Sequence, residues 1–377
     1  MAKIKKFLLT LFFALIIPFQ VFAVDEFSTP YVLDLPQGIL PPIIPDNNPL
    51  TKGKVMLGRK LYFDKRLSAD NTISCATCHD PRLGFADGKP VGEGINGQKG
   101  ARNSPTTLNA AFFDFQFWDG RSATLEEQAK QPIVNPIEMG MKSHDILIKK
   151  LRGIKEYVDL FKKVFGAEKF TIDHVAQAIA SFERTLILLD SPFDRFIAGD
   201  ENAISESAKR GWALFNSKAR CNTCHGFSSS FPFFTDNKFH NIGIGAKHLK
   251  DKFDDLARTA QEAKTIEDLD NLALGKDSSE LGRFIVTKKK SDIGAFKTSG
   301  LTNIALTAPY MHDGSERTLE SVIEFYNRGG EPNPFLDGGI RPLGLSNNEV
   351  KDLVEFMKAL TSSGIEKFKE EFSGDLK

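Results

Sequence analysis

Two short segments of this chain combine a pair of thiols with an imidazole: Cys75-Ala-Thr-Cys78-His79 and Cys221-Asn-Thr-Cys224-His225. In a helical turn, sulfurs at i and i+3 face the same way. Each can then form a thioether to one vinyl group of a single porphyrin, while the adjoining imidazole reaches the iron. On this reading each motif holds one covalent haem c, with His79 and His225 as axial ligands. Two other chemistries use such pairs: a zinc site closed by both, or a redox dithiol in a βαβ setting. Neither needs a histidine directly after both pairs, and no βαβ pattern is present. These are all four cysteines in 377 residues, too few for a disulfide-stapled scaffold.

The opposite face of each iron separates reaction from conduction, because an open position can react and a filled one mainly carries electrons. An internal repeat bears on it. Thr107–Glu126 aligns without a gap on Leu301–Glu320, with identities at Asn109/Asn303, Ala111/Ala305, Asp119/Asp313, Gly120/Gly314, Thr124/Thr318, Leu125/Leu319 and Glu126/Glu320. Eight residues past Thr124 and Thr318 stand Pro132 and Tyr326. Proline has no ligating side chain, so the first haem is expected to be open and the second closed by the Tyr326 phenolate. A tyrosine late in an amphipathic helix also serves as core, and His240, 15 residues after His225, competes for the same iron. Gln128–Glu138 brings an amide and a carboxylate to the open face. Splitting a peroxide O–O bond needs a group that takes a proton from one oxygen and returns it to the other. A carboxylate with its pKa raised by desolvation can do both. Glu138 is the candidate, with a solvated loop glutamate as the alternative.

The elements around these residues read as helices. The spacing predicts helices from Pro49 to Tyr62 and from Ser205 to Phe215, each ahead of a cysteine pair. It predicts others after Thr171, after the Ser346/Glu349 capping box, and after Thr124 with Glu127. His144, His174 and His248 read as surface or capping residues, and 246–292, weakly patterned, as a long loop. The fold class is therefore mostly α, two cytochrome c-like haem domains related by duplication with little β structure. Residues 1–23 read as a signal peptide, with Lys3, Lys5 and Lys6 before an apolar run from Phe7 to Ile17, then Pro18 and a Val21-Phe22-Ala23 cleavage site. That run is too short to span a bilayer, so no stable membrane insertion is expected. The first haem domain spans 24–190 and the second 191–377. Lys+Arg and Asp+Glu both count 49, and removing 1–23 leaves a charge of −3, which argues against nucleic acid as a partner.

Together these features resemble the bacterial dihaem cytochrome c peroxidase family, which includes the MauG-like enzymes. The resemblance runs from about Pro49 to Thr361. Besides both cysteine motifs it rests on Ala101–Thr106, Phe117–Arg121, Gln128–Glu138, Phe239–Gly243 and Leu306–Gly314. It implies a peroxidatic haem in the first half and an electron-receiving haem in the second. It also implies a peroxide pocket of Gln128, Pro132 and Glu138, with Trp118 between the haems. Asn103, Thr307 and Pro309 match a calcium site, and His312 a histidine near a haem propionate.

Three departures sharpen the expectation. The 80–100 loop has no histidine, whereas members needing reductive activation carry one there, so haem 1 is expected to be high-spin and reactive at rest. Tyr326 stands where typical peroxidases place methionine and MauG-like members tyrosine. Thr302 replaces the usual arginine before the Asn303 position.

The resemblance implies reduction of hydrogen peroxide to water in the periplasm, with electrons from a c-type cytochrome or a cupredoxin; a homodimer is compatible with the sequence. The alternative is a MauG-like oxidation of a partner protein. The tryptophan which that reaction uses two residues before the second motif is Ala219 here. A dihaem electron carrier without catalysis is the third reading, and it would have no use for Gln128 and Glu138.

Overall fold

In the computed structural model, residues 26–376 are described except 246–248, 250 and 251. The signal-peptide expectation and His248 lie outside the described residues. The described chain is mostly helical, with one two-stranded antiparallel sheet, Phe239–His240 against Phe296–Lys297. No described helix is long and apolar enough to cross a membrane.

Each half is built on one tight helix crossing. Lys52–Phe63 packs on Ile172–Glu183, and Glu206–Phe215 packs on Asn347–Ala359. At both crossings a glycine, Gly58 or Gly211, lies against the carbonyl of the facing helix, Ala178 or Asp352, where a Cβ would overlap it. Thr171, Ser205 and Ser346 cap their helices as their sequence positions predict, and His174 closes a capping box with Thr171. The expected box at Thr124 is altered: Thr124 accepts from the Glu127 N–H, but the Glu127 carboxylate accepts from Ala123.

The duplication extends into backbone detail. Asn109 and Asn303 both adopt positive φ, 59° and 64°, and each opens a 3-10 turn. Phe117 and Met311 repeat that conformation, as do Gly120 and Gly314. Asn109 ties its loop to Leu186 and Leu188, and Asn303 makes the same pair of bonds to Leu360 and Ser362. One apolar core gathers residues from Leu57 to Leu188 and a second those from Phe193 to Leu360. The helix Ile365–Phe372 crosses back to the first core, where Arg59 pairs with Glu371 and Asp375.

The expectation of a long loop over 246–292 is corrected. Its described part forms helices Phe253–Glu262, Ile266–Leu274 and Phe284–Thr287 around a third core of Ala257, Ala260, Leu272, Leu281 and Ile285. On the first two of these helices the buried residues are mostly alanines, Ala257, Ala260 and Ala273 beside Leu272, whose short side chains mark the core-facing side weakly in the sequence.

Candidate haem sites and peroxide pocket

The first motif forms a single helical turn, Cys75–Cys78, capped by Ser74, and the second a 3-10 turn, Cys221–Thr223. All four cysteines are free. Burial pushes the Cys75 thiol up, and the Cys78 and Cys221 thiols up to about 12. A reactive dithiol needs a thiolate, which burial disfavours here, and one zinc site closed by both pairs needs them together, whereas they pack against different cores. Those two readings fall.

Each motif histidine has its Nδ1 held by a backbone carbonyl. His79 Nδ1 lies 3.3 Å from the Phe85 carbonyl, and His225 Nδ1 lies 2.8 Å from that of Phe234. Phe85 and Phe234 both have positive φ, 58° and 56°, which turns each carbonyl to the imidazole. Burial lowers the pKa of both rings. A neutral imidazole that donates from Nδ1 presents Nε2 to a metal, the arrangement usual for ligating histidines. Beside Cys221, Cys224 and His225 opens a cavity of about 280 Å³ that is mostly apolar and is also lined by Tyr326, Trp118 and Lys297. The Lys297 ammonium donates to the Phe115 carbonyl at 2.9 Å, and burial, the one influence on it, lowers its pKa to about 8. A buried cation without a carboxylate partner suits an anionic group such as a haem propionate. The residues present fit a covalent haem at each motif.

Two side chains compete for the second iron position, and they differ. His240 holds Asp236 on Nε2 at 2.9 Å and Asp337 on Nδ1 at 2.7 Å. Both ring nitrogens are engaged. Tyr326, on the helix Leu319–Asn327, lines the cavity, and burial raises its phenol pKa.

In the first half, Gln128 and Pro132 lie four residues apart on the helix Leu125–Val134 and so share a face. Asn135 caps that helix and donates to Glu138 Oε1 at 2.8 Å. The 92–98 loop packs on the same segment: Ile95 N–H donates to the Glu138 carbonyl, and the Cys78 thiol faces the Glu93 carbonyl. Burial pushes the Glu138 carboxyl up to about 7, opposed by Arg121 and reinforced by Asp270. The Glu138 charge acts in turn on Cys75 and Cys78, so the carboxyl lies near the first haem motif.

Trp118 and His312 meet near the second cavity. Trp118 Nε1 donates to the Asn103 carbonyl at 2.9 Å, and the Asn103 N–H donates to the His312 carbonyl at 2.7 Å. His312 is buried, stacked on Phe296, and bonded through Nε2 to Glu280 at 2.9 Å. Asn103, Thr307 and Pro309 line the same cavity.

Three residues stand out that carry no assigned role in the sequence reading. Arg121 lies within a quoted motif, Lys297 follows the weakly patterned 246–292 stretch, and Asp270 lies in the segment expected to be loop. Only Arg121 had a local signal.

The model of the di-haem cytochrome c peroxidase family matches residues 52–202. The chain is 40% identical over 317 residues to the methylamine utilization protein MauG of Methylorubrum extorquens, covering 84% of this chain and 80% of that protein. It is 38% identical over 334 residues to the cytochrome-c peroxidase IdrP1 of Denitromonas iodatirespirans, covering 86% of each. Among solved structures, a MauG-like protein associated with microbial copper homeostasis matches with a TM-score of 0.73 at 31% identity, over 89% of this chain and 97% of that one.

Proposed function

Because the chain belongs to the di-haem cytochrome c peroxidase family, whose members are oxidoreductases with two haems c, we propose that it reduces hydrogen peroxide to water at the first haem, with electrons passed in through the second. The observation that carries this reading is Glu138: a carboxyl poised at about 7 beside the first haem motif, next to a helix whose Pro132 offers the iron nothing. Cys75, Cys78 and His79 would hold haem 1, and Cys221, Cys224, His225 and Tyr326 haem 2. Haem 1, when bound, would supply a redox iron able to accept the oxidising equivalents of peroxide.

The side chains handle the protons. Glu138 in its anionic form accepts the proton from the peroxide oxygen nearer the iron and delivers it to the departing oxygen, which leaves as water. Asn135 orients the carboxyl by its bond to Oε1, and Gln128, on the same helix face as Pro132, would offer an amide to peroxide. Trp118 links the haem modules for electron passage. Asn103, Thr307 and Pro309 would present oxygens to a calcium ion. The donor is a small redox protein of the c-type cytochrome or cupredoxin class, and the site of action the periplasm, supported by the 1–23 segment.

Tyr326 favours a second reading, oxidation of a partner protein, while Ala219 leaves no tryptophan beside the second motif for its relay. Mixing the ferric protein with stoichiometric peroxide tests both. A rapid spectral change at haem 1 that decays quickly only with a reduced cytochrome supports the peroxidase. A species that persists despite the cytochrome supports the second reading, and no change supports a carrier.

A further inference from the structure

The 115–121 loop, which carries Trp118 and Arg121, is held from the other half of the chain. Arg283 Nη1 donates to the carbonyls of Asp119 and Gly120 at 2.9 and 2.7 Å. Its guanidinium lies over the Phe115 and Phe239 rings. Arg102, paired with Asp119 at 2.6 Å, also donates to the Ser279 carbonyl at 2.8 Å. The third tie reaches the peroxide pocket itself. Arg121 Nε donates to Asp270 Oδ1 at 2.7 Å and to Gln131 Oε1 at 3.1 Å, and its Nη1 to Asp119 at 3.2 Å. Arg121 and Asp119 are fully enclosed, and Asp270 is partly so. All three ties come from the helical segment 253–293, which has its own core.

We propose that Asp270 is a positioning residue of the peroxide pocket: it fixes the Arg121 guanidinium and thereby sets how readily Glu138 yields its proton. The inference rests on the peroxide reading above. The charged groups that act on the Glu138 carboxyl are Arg121 and Asp270; Cys75 and Cys78 couple to it too, and as thioethers they do not titrate. The Asp270 carboxylate disfavours a second negative charge on Glu138, and it also occupies an Arg121 nitrogen that would otherwise stabilise that charge. Both effects raise the Glu138 proton affinity, so removing Asp270 lowers it. The segment 253–293 is on this account a working part of the first haem's pocket, though it belongs to the second half of the chain.

The test uses holoprotein with Asp270→Asn and Asp270→Glu. Two pH series are recorded from about pH 5 to pH 9: the rate of the peroxide reaction at haem 1, and the affinity of ferric haem 1 for fluoride, whose binding draws on a protonated pocket acid. Asp270→Asn is expected to move both midpoints down by about half a unit or more, and Asp270→Glu to restore them. Midpoints in Asp270→Asn equal to those of the parent protein overturn the proposal, even if its melting temperature falls, because a merely structural residue would show that pattern. A fluoride midpoint that moves in a protein whose peroxide rate is negligible at every pH supports the role of Asp270 and removes the peroxide reading.

Discussion

Pro132 occupies, on the helix capped by Thr124, the place that Tyr326 occupies on the helix capped by Thr318. The two halves share their loop conformations up to those caps, so the difference between a ring that cannot bind iron and a phenol that can is an inequality between otherwise equivalent modules.

That inequality can be reversed one side at a time. Pro132→His is expected to convert ferric haem 1 from high-spin to low-spin and to suppress its fast reaction with peroxide, visible by EPR and stopped-flow absorbance. Tyr326→Phe, which removes only the hydroxyl, is expected to change the haem 2 EPR signal and raise its potential by on the order of 0.1 V or more, since an anionic oxygen ligand favours ferric iron. An unaltered haem 2 signal takes Tyr326 out of the ligand set.

Glu138 acts first as a base, so the peroxide reaction should accelerate as pH rises through about 7, where burial places its carboxyl. Glu138→Gln is expected to slow the reaction about 10²- to 10⁴-fold and to flatten that dependence. Stopped-flow rates across pH measure both, and a pH dependence retained in Glu138→Gln assigns the titration to another group.

Glu183 is buried, one of its carboxyl oxygens has no partner, and burial pushes it up to about 8. The folded state therefore keeps a proton that the unfolded state has already lost, and stability falls as pH rises from the ordinary carboxylate range toward 8. Glu183→Gln cannot ionise. It is expected to melt close to the parent at about pH 5 and several degrees higher at about pH 8.5, as calorimetry would show.

At the helix crossing of the second half, Gly211→Ala would drive a methyl into the Asp352 carbonyl. A loss of about 1–3 kcal/mol is expected, read from denaturant midpoints, whereas Gly226→Ala, in open space, should cost far less.

What the sequence discloses here follows the range of the interactions. The cysteine–histidine motifs, the caps at Thr171, Ser205 and Ser346, and the repeat around Asn109 and Asn303 are local patterns, and each has its counterpart in the structure. The helices of 253–274 escape such reading because their buried residues are mostly alanines, whose short side chains stand out little against a charged background. Asp270 meets Arg121 across 149 positions and Asp337 meets His240 across 97. No spacing rule reaches that far.

The helix Ile365–Phe372 gives the first half a dependence on chain order. Its core begins at Leu57, yet Phe372 stacks on Phe63 and Glu371 holds Arg59 from 312 positions downstream. The wall of the first core is thus supplied from the far end of the chain, so the first half cannot complete its packing from its own residues alone.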